Sequence, residues 1–190
     1  MAADRPILKF ETPDEVAEWF EENAENSDGM QILFAKKASK VRTPTYGEVL
    51  DIALAWGWID SIVHGYDADC YLQTFTPRRS RSPWSKVNRE KAEAMIADGS
   101  MKPSGMAAVE LARANGRWDA AYVGQAEAET PQDFLDALAR SPKAAAFFGT
   151  LSNQNRYAVY FRLNDAKKPE TRARRIVKFV EMFERGEKFY

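Results

Sequence analysis

With 190 residues, 45% of them hydrophobic and 12% aromatic, the chain is long enough for one compact domain or two small packed halves, and too apolar for general disorder. A formal net charge of −1 directs no global field at nucleic acid or a membrane. Cys70 is the only cysteine, which excludes an intrachain disulfide and a multi-thiolate zinc site, and a single histidine leaves too few ligands for a transition-metal centre.

In chain order, residues 6–11 (PILKFE) alternate weakly and predict a short strand. Thr12 reads as an N-cap with Pro13 at the first helical position and Glu15 completing a capping box. Val16, Trp19, Phe20 and Asn23 share a face, so that helix runs to about residue 25. A turn at Asn26–Gly29 leads into a strand at Met30–Ala35. Thr45 and Glu48 form a second capping box, and the helix they open carries apolar residues nearly all round until Gly57 breaks it. Tyr71–Phe75 (YLQTF) reads as a third strand after a turn at Gly65–Asp69, and Pro77 stops the ladder.

From residue 82 on the pattern is helical. A helix starting at Ser82-Pro83 or Trp84-Ser85 runs to Gly99, and another spans Pro103–Asn115, closed by Gly116. Residues 123–130 form the best internal boundary, giving an α+β region at 1–122 and a helical region at 123–190. Thr130-Pro131 and Ser141-Pro142 each pair an N-cap with proline, Ser152 caps a helix carrying Tyr157, Tyr160 and Phe161, and a last helix runs from Pro169 to about Arg185. In that last helix Ala173, Ile176, Val177, Val180 and Phe183 form the apolar face under a basic one. Strands confined to the first 80 residues and helices after them specify a mostly helical α+β fold: a small N-terminal sheet packed by helices, then an all-helical C-terminal half.

Two segments carry candidate chemistry. Tyr71–Arg89 contains Arg78, Arg79, Arg81, Lys86 and Arg89 and no acid. Guanidinium groups beside a helix N-terminus, with Trp84 as a flat wall and Ser85 and Asn88 at hand, make a candidate anion site. The plain structural reading of the same run is a solvated basic loop paired with the acidic N-terminal helix. Near Gly57, Asp60 and His64 are the weaker catalytic candidates, His64 as a base oriented by Asp60 and Ser61 or Cys70 as nucleophile. The plain reading there is that Trp56 and Trp58 are core and Asp60 caps a turn or pairs with an arginine. No glycine-rich phosphate loop, dinucleotide fingerprint or calcium-loop spacing is present, so no cofactor and no metal is expected. The basic run lacks a stacked aromatic platform, so no specific nucleic acid is expected either. No segment reaches the roughly 20 apolar residues of a membrane span, and none near the start has signal-peptide character, so the expected location is cytoplasmic.

The run Thr74–Asn88 (TFTPRRSRSPWSKVN), with ALAWGWIDS (Ala53–Ser61), GRWDAAY (Gly116–Tyr122) and the tail Asn155–Met182, resembles the YdeI/OmpD-associated, or bacteriocin-protection, family. The resemblance implies a role in resistance to bacteriocins or antimicrobial peptides, a form of stress protection. Porin association is implied by the family name alone. It supplies no catalytic residues. Two functions therefore stay open: a non-enzymatic binding or stress-protection module with a site for a small anionic ligand near Arg78–Asn88, and an enzyme acting on an anionic small molecule through Asp60 or His64 with the same arginines.

Overall fold

The computed structural model describes residues 5–190, in two compact units. One comprises the chain through Ser82 together with Val87–Asp119; the other comprises Pro83–Lys86 and Ala120–Tyr190. The division falls between Asp119 and Ala120, three residues before the boundary read from the sequence, and the Pro83–Lys86 segment goes with the second unit.

The first unit holds β1 (Ile7–Leu8), α1 (Pro13–Asn23), β2 (Met30–Ala35), α2 (Tyr46–Ala55), β3 (Trp58–Gly65), β4 (Cys70–Pro77), α3 (Lys86–Asp98, all but its first residue) and α4 (Pro103–Ala114). The four strands form one sheet in the order β1-β2-β4-β3, with β1 parallel to β2 and the other pairs antiparallel. The α+β segregation expected from the sequence is what folds. β3, however, was not anticipated. It is an edge strand of which only Trp58 is buried, so it shows no alternating burial that a sequence pattern could reveal.

Local chemistry explains the element ends. Thr12 accepts from the Glu15 N–H, but the Glu15 carboxylate turns back to the Glu11 N–H at 2.7 Å rather than to Thr12. At Thr45 the capping box closes in full, and these bonds hold the Glu48 carboxyl below its ordinary value, Thr45 being the cause. The main core lies on one face of the sheet: Met30, Ile32, Phe34 and Phe75 meet Val16 and Phe20 of α1 and Val49 and Ala53 of α2. Trp19, Phe20 and Trp58 meet edge to face at 5.1–5.9 Å between ring centroids, a geometry worth about 0.5–1.5 kcal/mol per pair beyond burial. On the other face a small cluster joins Leu33, Cys70 and Leu72 with Val41.

The second unit is helical: α5 (Gln132–Ala139), α6 (Pro142–Thr150), α7 (Asn153–Asn164) and α8 (Pro169–Glu184). Phe134 sits among Phe148, Phe179 and Phe183, with Leu138, Val159 and Leu163 completing the core. Ser141 and Ser152 cap as expected, whereas Pro131 itself occupies the cap position of α5, where the expectation was Thr130. The buried face of α8 agrees in part with the expected one: Ile176, Val180 and Phe183 pack in the core. Phe179 and Phe183 are buried, while Ala173 and Val177 lie in solvent. Arg172 and Arg175 are half-buried and used within the unit: Arg172 donates twice to the Asp133 carboxylate at 2.6 and 2.8 Å and once to the Leu163 carbonyl, and Arg175 donates to the Arg162 carbonyl.

Candidate functional site

The first unit contains a cavity of about 520 Å³. Its construction starts at Gly57, whose φ of +75° lets the chain leave α2 and enter β3 at once, setting Trp56 and Trp58 on either side of the reversal. A side chain at Gly57 would come within 2.9 Å of the Ser104 carbonyl. The backbone there is pinned from two directions: Arg78 N–H donates to the Gly57 carbonyl, and Ser104 Oγ donates to the Trp56 carbonyl, both at 3.0 Å. Lys102 N–H donates to the Ala55 carbonyl at 3.0 Å, and its ammonium lies 5.1 Å from the centre of the Trp56 ring while pairing with Glu21. The end of α1 and the following turn supply Glu25 and Asp28, and α4 supplies Ser104 and Leu111. The result is a cleft lined by Trp56 and Trp58, one guanidinium and two carboxylates.

Of the three arginines singled out in the sequence, Arg78 lines this cavity and is half-buried, whereas Arg79 and Arg81 are exposed. The loop that carries them is closed by a reciprocal turn: Arg79 N–H donates to Ser82 Oγ and Ser82 N–H to the Arg79 carbonyl, both at 2.9 Å. Asn115 ties the same loop to the end of α4 through the Ser80 carbonyl. The helix expected to start within 82–85 begins at Lys86, because Ser85 forms a parallel bridge with Tyr122 instead. Trp84 is buried in the second unit, where its carbonyl accepts from Tyr122 N–H, and Lys86 pairs with Glu127 at 3.5 Å. Asn88 is buried in the first unit. The basic run is thus divided between the units rather than gathered at one helix end.

The Asp60–His64 pairing read from the sequence is not assembled. A bulge between Asp60 and Val63 sets Asp60 opposite Phe75 and His64 opposite Leu72. Those partners are three apart on β4, so the two side chains leave opposite faces of the sheet. Ser61 is exposed. Cys70 shares the face of His64 but is buried, and burial, followed by Asp67 and Asp69, pushes its thiol above the ordinary value. That is the wrong direction for an activated nucleophile.

The second unit has its own cavity, of about 390 Å³, between α7 and the chain around Tyr122, and a smaller one of about 200 Å³ beside it. Gln125 and Tyr157 line both. The helix that carries this cavity was legible, but its aromatic residues were not singled out as a site. The available signal was that Tyr157, Tyr160 and Phe161 lie on the side of α7 away from Asn155, Val159 and Leu163.

No helix among the described residues is long and apolar enough to cross a membrane, and no cluster of metal-ligating side chains is found among them. No curated protein and no solved structure matches the chain. Thr74–Asn88 and Ala53–Ser61, read above as marks of the bacteriocin-protection family, fall within the match to a different family model, while the tail Asn155–Met182 falls within the match to that one. Residues 8–108, more than half of the chain, match a domain of unknown function (DUF8412), and residues 127–186 match the family described as Bacteriocin-protection, YdeI or OmpD-Associated: the chain belongs to the first family and carries the domain of the second.

Proposed function

We propose that this bacteriocin-protection, YdeI-type protein acts by binding rather than by catalysis, and that the Arg78 cavity receives a small anionic molecule. The observation that carries the reading is the half-buried Arg78 lining a cleft that Trp56, Trp58 and Leu111 also line. A guanidinium beside apolar surface binds a carboxylate or phosphate more strongly than one in open water, because the surrounding dielectric is lower. Glu25 and Asp28 line the same cleft and repel a polyanion. The favoured ligand therefore carries one anionic group beside a neutral or positive one, with an apolar body toward Ala107, Ala108 and Leu111. The separation of Asp60 from His64 supports binding over chemistry.

The test is calorimetric titration with acetate, inorganic phosphate and phenylalanine as probes. Phenylalanine binds more tightly than phosphate in the wild type. Arg78→Gln weakens every probe by about tenfold or more, the value of a charge-assisted hydrogen bond, and Arg78→Lys retains part of the affinity. Neutralising the acids in Glu25→Gln/Asp28→Asn strengthens acetate binding and weakens phenylalanine binding. Equal titrations for wild type and Arg78→Gln would overturn the proposal.

A further inference from the structure

Helix α7 has two apolar faces. Val159 and Leu163 belong to the core of the second unit, while Tyr157, Tyr160 and Phe161 lie outside its buried cluster. What covers this aromatic side is a strap of backbone held by polar bonds. Tyr157 Oη donates to the Val123 carbonyl, Val123 N–H donates to Tyr160 Oη, both at 3.1 Å, and Asn164 donates to the Ala120 carbonyl at 3.2 Å. The two cavities lie along this side of α7, which gives Tyr157 and Phe161 to the larger and Tyr157 and Tyr160 to the smaller.

The rings themselves are fixed. Tyr122 and Phe161 meet edge to face at 5.0 Å, and Tyr157 stacks on Tyr160 at 5.8 Å. Among the described residues that line the pair of cavities, the charged side chains are Arg162 in the larger and Arg156 in the smaller, and none is acidic. Both guanidinium groups are already oriented. Arg162 lies 4.3 Å from the centre of the Phe189 ring and donates to the Ala158 carbonyl; Arg156 lies over Phe148 and donates to the Gly149 carbonyl at 2.7 Å. Each has five N–H donors, so bonding capacity remains for an incoming anion. Burial pushes Tyr157 up to about 12, so its phenol adds no negative charge at neutral pH. The exposed amides of Gln125 and Gln154 add neutral donors and acceptors to the larger cavity.

We infer that the second unit holds a binding cleft for a planar aromatic anion, with the ring system packed against Tyr122, Tyr157 and Phe161 and its carboxylate or phosphate held by Arg162. The sign of the charge decides the class. Aromatic walls alone also suit a quaternary ammonium, but a cation in the larger cavity would sit beside the Arg162 guanidinium, with no carboxylate side chain in the lining. A purely apolar ligand would leave the oriented arginine and the amides unused. Rings supply area and orientation, and guanidinium supplies a directional bond to a planar anion. This cleft is independent of the Arg78 cavity and of the proposal made for it.

Two ligand sources share this chemistry, and the experiment separates them. The full chain is titrated with adenosine monophosphate and with benzoate, and with their uncharged counterparts adenosine and benzyl alcohol, while amide and aromatic-ring NMR signals are followed. The expected result is saturable shifts at Tyr157, Phe161 and Gln154 for at least one anion. Its neutral counterpart binds about tenfold or more weakly, as loss of a charge-assisted hydrogen bond requires. Whichever of the two anions binds more tightly identifies phosphate or carboxylate as the preferred group. Arg162→Gln lowers that affinity by a similar factor, whereas Arg78→Gln, in the other unit, leaves it unchanged. Should Arg162→Gln fail to fold, Gln154→Leu at an exposed position serves in its place and weakens binding by a smaller factor. The inference is overturned if neither anion shifts these signals at millimolar concentration, if shifts map elsewhere, or if the neutral rings bind as well as the anions.

Discussion

Gly105 in α4 offers a sharp test of how the first unit is packed. A β-carbon at this position would lie 2.1 Å from the Ala55 carbonyl oxygen and 3.0 Å from its carbon, as well as 2.5 Å from Met101 Sδ. The methionine can swing away; the end of α2 cannot. A carbon–oxygen contact normally sits near 3.4 Å, so α4 must retreat by roughly an ångström in Gly105→Ala. That retreat strains the Lys102 N–H bond to the Ala55 carbonyl and the Ser104 Oγ bond to the Trp56 carbonyl, each worth about 1 kcal/mol. Overpacking adds about 1–3 kcal/mol, and alanine's better helix propensity returns about 1. The net expectation is a loss of about 3 kcal/mol. Urea unfolding followed by tryptophan fluorescence measures it, with the denaturant slope unchanged. Gly47→Ala, in the first turn of α2 with nothing within 4 Å of an added β-carbon, is the control and is expected to be neutral or slightly stabilising. A Gly105→Ala protein as stable as wild type would refute the close approach of α4 to α2.

Asn155 is buried and its Oδ1 accepts from both Phe189 and Tyr190 N–H, so Asn155→Ala costs about 2 kcal/mol and accelerates hydrogen exchange at those two amides. Arg172 holds the Asp133 carboxyl below its ordinary value, so the pair stabilises above the normal carboxylate range and the contribution disappears as pH falls through the depressed value. Because the pair is partly solvated, Asp133→Asn should remove no more than about 1 kcal/mol at neutral pH and flatten the acid limb of a urea-midpoint profile. Tyr157 is shifted upward, so the folded state loses stability as pH rises from about 10, where the unfolded phenol ionises, toward about 12. Tyr157→Phe should show a shallower alkaline slope, and an unchanged slope would mean that its hydroxyl is not held as described.

The elements read most easily from the sequence were those with chemical punctuation. Thr12-Pro13, Thr45 with Glu48, Ser141-Pro142 and Ser152 mark helix starts through a hydroxyl that must find an N–H, and all four do so. β3 was missed because an edge strand needs only one face and one neighbour; Ser61 and His64 in solvent look like loop residues. On α8, Ile176, Val180 and Phe183 were read correctly as core, but Phe179 was left out of the stripe and Ala173 and Val177 were put in it. For the site, proximity in sequence was the wrong guide. Arg78 was recognised, but its cavity companions Glu25, Asp28 and Ser104 arrive from α1 and α4, and no local pattern links them. Arg79 and Arg81, its sequence neighbours, instead lie exposed in a turn of their own.

The buried Cys70 makes the chain its own reporter of sheet opening. It is the single thiol in 190 residues, it begins β4 opposite Ala35, and its N–H is held by the Asp67 side chain at 2.7 Å. A water-soluble disulfide reagent can reach the sulfur only when Leu33, Leu72 and Val41 part from it. Labelling kinetics therefore clock the excursions of one defined patch, with no engineered probe and no second signal to subtract. Where labelling proceeds far faster than global unfolding, the β3–β4 hairpin opens as a subunit of its own; where the two rates coincide, the sheet yields only as a whole.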